Sequence, residues 1–134
     1  DDKESMPDQY KTVSLEEFFE YSKSMFAYWT EDDFASSFRK MLTIEQFRSE
    51  EMQGLYQQYL SSGPAAYVKD LFESMGIAHA EENAVRFYAT MYFYYSVYDG
   101  ADDKEKVKNE FASAIGSMAQ EWIKQPKLTQ IRKS

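Results

Sequence analysis

The sequence predicts an all-α domain of five to six helices, and two observations lead to this prediction. Apolar residues recur at three- and four-residue steps along most of the chain, which is the spacing of one helix face. Only three Pro and five Gly interrupt the 134 residues, and they fall mostly between the helical stretches. No alternating pattern of useful length indicates a strand. We expect a single domain over residues 14–125.

The first predicted helix begins with a capping box formed by Ser14 and Glu17. Residues 1–13 carry no clear period and are interpreted as a linker or a truncated edge. The helix is expected to end near Thr30. Its apolar stripe consists of Leu15, Phe18, Phe19, Ser22, Met25, Phe26 and Trp29.

Asp32 or Asp33 is predicted to start the second helix, because acidic residues are favourable at a helix N-terminus. The predicted inner side of this helix is formed by Phe34, Phe38, Met41 and Leu42, followed by Ile44 or Glu45.

A third helical stretch is expected from about Glu50 to Met75, and Gly76 is a predicted C-cap. The segment 61–64, SSGP, predicts a break or kink, because Pro removes a helical hydrogen bond and clashes with the preceding turn. Gly54 lies inside a helix, where it is unfavourable, and therefore predicts close packing.

The fourth helix, over about 81–98, carries aromatic residues around nearly its whole circumference. This pattern indicates burial on more than one side and favours contact with another subunit. The last helix is predicted to begin with a second capping box, from Asp102 to Glu105, and to stop before Pro126. Residues 126–134 form a basic tail.

Composition excludes several classes of protein. The absence of Cys excludes disulfide frameworks, thiolate metal sites and Cys nucleophiles, and the single histidine, His79, cannot form a His-cluster zinc site. A net charge of −8 disfavours binding to a phosphate backbone. Since no run is apolar enough to span a membrane and the acidic start is not typical of a signal peptide, we expect a cytoplasmic protein without membrane contact.

No set of residues indicates catalysis or metal binding. Asp99 to Glu110 has the length of a calcium loop, but Lys104 occupies the position that requires Gly, so helix capping is the preferred interpretation. The carboxylate pairs of the chain lie at helix starts, where the macrodipole favours them. We therefore predict that the chain is not an enzyme and holds no metal or cofactor.

Ten Phe, eleven Tyr, two Trp and seven Met are the strongest signal in the composition. A packed core would explain them, although cores favour Leu, Ile and Val. Tyr and Met also suit a pocket that holds a small apolar molecule through a few hydrogen bonds. These residues alone support the two interpretations equally.

Three segments resemble the C-terminal domain of TetR-family transcriptional regulators. They are residues 38–47 (FRKMLTIEQF), 51–56 (EMQGLY) and 84–92 (AVRFYATMY), and the Tyr98-Asp99 pair adds to them. The resemblance covers residues 14–124. It implies an effector-binding and dimerisation domain, in which the last two long helices form a four-helix bundle with those of a second copy.

The resemblance also implies a function. In such a repressor, a small effector moves the DNA-reading heads of the dimer so that they no longer fit the operator. The N-terminal helix-turn-helix module of the family is absent from this chain, so contact with DNA is expected only through that missing module. We expect a homodimer and an apolar effector, neutral or cationic. The alternative is a stand-alone helical protein that binds a small molecule and does not bind DNA.

Residues are assigned to two sites. By the family pattern, the predicted ligand-binding residues are Phe18, Met25, Trp29, Phe38, Met41, Tyr56, Tyr59, Tyr67, Tyr88, Met91 and Tyr95. The predicted dimer-interface residues lie on the last two helices, away from the inner stripe: Arg86, Tyr94, Ser113, Gly116, Ser117 and Gln120.

Overall fold

The computed structural model describes residues 13–124 and confirms the all-α prediction, with no strand in this part of the chain. The predicted basic tail and nearly all of the predicted linker lie outside the described residues. Residues 13–124 form six helices: α1 (Leu15–Glu31), α2 (Asp33–Glu45), α3 (Glu50–Leu60), α4 (Ser62–Ser74), α5 (Ala80–Asp99) and α6 (Lys104–Lys124).

Side chains cap the helices where the sequence places short polar residues. The capping box of α1 is confirmed: the Glu17 backbone N–H donates to Ser14 Oγ at 3.0 Å, and the Ser14 N–H donates to Glu17 Oε1 at 2.9 Å. Asp32 caps α2 by accepting from the Ala35 N–H at 2.9 Å. The predicted box at Asp102 is wrong. Because α6 begins one residue later, the carboxylate of Asp103 caps it instead, at 3.1 Å from the Lys106 N–H.

The break predicted in the third helical stretch is confirmed and separates α3 from α4. Ser61 leaves helical geometry with φ −131° and ψ −103°. Gly63 follows, and a Cβ there would lie 2.1 Å from the Gln58 backbone oxygen, so this tight turn requires Gly. The close packing predicted at Gly54 is wrong, since no atom lies within 4 Å of the position its Cβ would occupy. Nothing in the structure explains this glycine.

The core is built around α5, which packs against α1, α4 and α6. A cluster of interlocked rings fills one end. In this cluster, which we call the Phe–Trp cluster, the ring of Phe18 lies 5.1 Å from Phe72 and 5.0 Å from Phe87, and Trp122 lies 4.7 Å from Phe72. The buried side chains of α5, among them Ala84, Tyr88 and Met91, lie on one face, whereas Val85 and Phe93 are 53% and 60% exposed. The predicted burial of a second side requires another subunit and stays a prediction.

The predicted inner side of α2 is confirmed in part. Leu42 is fully buried in a second, smaller apolar cluster and Phe38 packs against it, but Phe34 and Ile44 are 74% and 72% exposed. Ala35 and Arg39 are buried without having been predicted. Arg39 is accommodated on the buried face because it pairs with the carboxylate of Asp99 at the end of α5.

A candidate ligand cavity and an adjacent groove

A pocket of about 240 Å³, partly open to solvent beside the exposed rings of Tyr59 and Tyr67, lies between α1, the α3–α4 junction, α4 and α5. We call it the inner cavity. Its lining consists of Tyr21, Met25, Trp29, Gln58, Tyr59, Gly63, Pro64, Tyr67, Val68, Phe87, Tyr88, Met91 and Tyr95. Its volume exceeds that of engineered cavities of about 150 Å³ that bind benzene.

Helical spacing brings these side chains together. Tyr21, Met25 and Trp29 follow one another at four-residue steps on α1, so they share one face. Met91 and Tyr95 repeat the same step on α5. The break between α3 and α4 turns the chain back beside them and completes the wall.

The lining is aromatic and uncharged. Seven of the described lining residues are aromatic and two are Met, and none is Asp, Glu, Lys or Arg. Burial raises the pKa of the Tyr88 and Tyr95 hydroxyls further above their ordinary value of 10.0, so the lining carries no tyrosinate. Such a surface favours an apolar molecule that a few hydroxyl groups orient.

Arg39 does not line the inner cavity, but it contacts Trp29 and Tyr95, which do. Its two terminal nitrogens donate to the carboxylate of Asp99 at 2.9 and 2.8 Å, and its Nε donates to the Trp29 carbonyl at 3.0 Å. The guanidinium carbon lies 4.9 Å from the centre of the Tyr95 ring. The Asp99 carboxylate thus balances the charge of Arg39 beside the cavity wall.

A larger groove of about 590 Å³ lies between α5 and the α3–α4 pair. We call it the outer groove. It is lined by Tyr56, Leu60, Ser61, Ser62, Ala65, Ala66, Lys69, Glu81, Val85, Tyr88, Ala89 and Tyr92. The hydroxyls of Tyr56 and Tyr92 share a hydrogen bond. Burial, reinforced by this bond, raises the pKa of Tyr56 to about 12.

The structure brings most of the predicted ligand-binding residues together. Seven of the eleven line the inner cavity: Met25, Trp29, Tyr59, Tyr67, Tyr88, Met91 and Tyr95. Tyr56 lines the outer groove instead. Phe18 belongs to the Phe–Trp cluster, and Phe38 and Met41 lie outside the described lining of both spaces.

Sequence reasoning missed several features of this region. Tyr21, Gln58, Val68 and Phe87 line the inner cavity without having been predicted. Arg39 was not predicted because the apolar residues beside it, such as Phe38 and Met41, form the clearer helical pattern. Its position four residues after Ala35 and three before Leu42 is the signal that could have placed it on the buried face.

The predicted interface residues differ in exposure. Arg86, Ser113, Ser117 and Gln120 are exposed. Tyr94 is half-buried because its ring packs against Phe111 of its own chain, at 6.1 Å. Gly116 is also half-buried, facing the ring of Phe19. Three exposed apolar side chains on these helices were not predicted, namely Val85, Phe93 and Ile123.

Within residues 13–124, no three acidic or His side chains are grouped so that they could hold a metal ion. None of the described helices has the length and apolarity that crossing a membrane requires.

No protein-family model matches the chain, and no curated protein or solved structure is significantly similar to it. The resemblance to TetR-family regulators therefore stays a prediction from the sequence.

Proposed function

We propose that the chain is the ligand-sensing and dimerisation domain of a TetR-like transcriptional regulator, a repressor that a small apolar effector releases from DNA. The inner cavity is the observation that carries this proposal. Its size and its aromatic lining suit a small molecule, and no basic side chain among the described lining residues favours an anion. A regulator of this kind acts in the cytoplasm, which is the localisation we propose.

The outer face of α5 and α6 supports the dimer in this proposal. No charged residue occurs between Arg86 and Asp99 on α5, or between Glu110 and Glu121 on α6. Phe93 is 60% exposed within the first of these segments. Charged residues are depleted at the centres of protein interfaces, and stable ones bury about 1,200 Å² or more. We propose that a second copy covers this face.

Mass spectrometry of the small molecules that copurify with the full-length protein tests the ligand-binding part. The identified molecule is then titrated against Tyr59→Phe, Tyr95→Phe and, as a matched control in the outer groove, Tyr56→Phe. Loss of a hydroxyl that bonds the ligand should cost about 0.5–1.5 kcal/mol. Weaker binding by an inner-cavity variant with an unchanged control supports the proposal. Equal binding by all three variants would place the ligand elsewhere.

Light scattering tests the dimer. The proposal expects twice the chain mass of 15.7 kDa at micromolar concentration. Phe93→Glu should give monomers, because it puts a charge at the proposed interface. Phe34→Glu is the matched control, since Phe34 is also exposed but lies on α2. A parent protein with the mass of one chain would contradict the dimer and favour a stand-alone binding protein.

A further inference from the structure

The inner cavity and the outer groove share one described lining residue, Tyr88. Its hydroxyl donates to the backbone carbonyl of Leu60 at 2.5 Å. Leu60 is the last residue of α3, where helix carbonyls lack partners within the helix, so this bond satisfies a group that the chain break would otherwise leave unpaired.

Residues next to this hydrogen bond line both spaces. Gln58 and Tyr59, before Leu60, line the inner cavity, whereas Leu60 and Ser61 line the outer groove. The Tyr88 ring and the α3–α4 junction therefore form one wall between the two spaces, and this hydrogen bond links them.

We propose that Tyr88 determines specificity by setting the maximum length of the ligand. This inference rests on the proposed function and names its ligand class: a compact, uncharged molecule of about one-ring size. With Tyr88 in place, such a molecule fills the inner cavity and cannot extend into the groove. A cation is disfavoured because no described lining residue of the inner cavity is acidic, and because the Arg39 guanidinium already lies against the Tyr95 ring.

The groove beside Tyr88 has room for a longer chain once this wall is removed. Val85, Ala89, Ala65 and Leu60 give it an apolar surface. It has two charged lining residues. Glu81 is in the first turn of α5, two turns before Tyr88, and Lys69 on α4 pairs with Glu73, with 3.8 Å between Nζ and the carboxylate. Truncation of Tyr88 should therefore join two apolar spaces and let a longer uncharged molecule bind.

The experiment measures how affinity depends on ligand length. The probes are 1-alkanols from butanol to dodecanol, each titrated into the full chain and followed by calorimetry. Each buried methylene should tighten binding about fourfold, the change that corresponds to its transfer free energy. In the parent, affinity should rise with length and then reach a plateau. In Tyr88→Ala, it should keep rising for at least two more methylenes, a gain of about 15-fold or more over the parent plateau.

A second tyrosine variant is the matched control. Tyr92 lines the outer groove and not the inner cavity, so Tyr92→Ala should reach the plateau at the parent length. Tyr88→Phe keeps the ring and should also keep the plateau. If Tyr88 had only a structural role, Tyr88→Ala would lower the affinity for every alkanol by the same factor. The length at which the plateau begins would not change.

Further variants keep the test decisive if Tyr88→Ala does not fold. Tyr88→Leu should also move the plateau to longer alkanols. In the parent background, Ala89→Phe narrows the groove and should leave every alkanol affinity unchanged. Weaker binding of long alkanols by Ala89→Phe would show that the ligand already occupies the groove, and would overturn the inference.

The failures of the two proposals differ. If the parent binds alkanols and Tyr88→Ala or Tyr88→Leu reaches its plateau at the same length, Tyr88 does not set ligand length, and the proposed function stands. If the parent binds no alkanol, the ligand-sensing function itself is contradicted.

Discussion

The Phe–Trp cluster and the inner cavity are both aromatic, yet one is filled and the other is open. In the cluster, Phe18, Phe72 and Trp122 interlock with ring centres 4.7–6.1 Å apart. In the cavity, Tyr and Met predominate and a space of about 240 Å³ remains. Phe87 belongs to both regions, so they meet at one ring on α5.

The difference follows from the polar tips of the cavity residues. A Phe ring can be surrounded on every side by carbon, whereas a buried Tyr hydroxyl needs a hydrogen-bond partner. Tyr88 finds one in the Leu60 carbonyl at the helix break, and this places its ring at the edge of the cavity. We infer that the Phe–Trp cluster supplies stability and that the Tyr-rich region retains space for a ligand.

The largest expected effect lies in the Phe–Trp cluster. Phe72→Ala should lower the free energy of unfolding by about 3–5 kcal/mol, because Phe72 is fully buried and its neighbours cannot collapse into the void. Urea unfolding followed by circular dichroism measures this. Phe72→Leu is the milder control. A loss below about 1 kcal/mol would mean that the cluster is not tightly packed.

The next largest effect on the free energy of unfolding should come from the Arg39–Asp99 ion pair beside the inner cavity. Asp99→Ala leaves the buried Arg39 charge unpaired and should cost about 3 kcal/mol in unfolding free energy. Arg39→Met should cost less, because the Asp99 side chain is 28% exposed and water can hydrate its carboxylate. Equal losses in the two variants would contradict this explanation.

Enlarging a buried side chain should have different effects in the packed core and at the inner cavity. Ile115→Phe enlarges a fully buried side chain of the core and should cost about 1–3 kcal/mol. Val68→Phe points its extra carbons into the inner cavity and should change the free energy of unfolding by less than about 0.5 kcal/mol. Thermal and urea unfolding measure both variants. Equal destabilisation would show that the cavity has no usable space.

The smallest expected effect concerns pH. The folded-state pKa of Tyr56 is about 12, above its ordinary value of 10.0, so its contribution to stability is full below pH 10 and is lost as pH rises through 12. Melting temperatures should therefore fall less steeply between pH 10 and 12 in Tyr56→Phe than in the parent. The difference between the two proteins at pH 8 is the baseline. If the melting temperatures of the two proteins fell in parallel up to pH 12, the Tyr56 hydroxyl would not be the cause of the steeper fall in the parent.

Local signals in the sequence predicted the helices well. Ser14 and Glu17 are three residues apart, Asp32 caps the helix that follows it, and the break at Ser61 lies within the predicted segment. Each of these depends on neighbours in the chain. The burial of Arg39 on α2 could not be predicted in this way, because it depends on an ion pair between Arg39 and Asp99, sixty residues apart.

The candidate site was predicted only in part, again because contacts between residues far apart in the chain decide which side chains line it. Helical spacing grouped Tyr88, Met91 and Tyr95 correctly on α5. Phe18 was assigned to the ligand because it shares a stripe with Met25, but it lies two turns away, where α1 meets Phe72 and Trp122. A stripe identifies the buried face of a helix. Which part of that face is filled depends on residues from other helices.

Calorimetric titration with 1-hexanol tests the central claim, that the inner cavity binds a small uncharged molecule. The parent chain should bind one molecule per chain with saturable heat, and Val68→Phe, folded and equally stable, should bind none because its ring occupies the cavity. No binding by the parent, or equal binding by Val68→Phe, would contradict the claim.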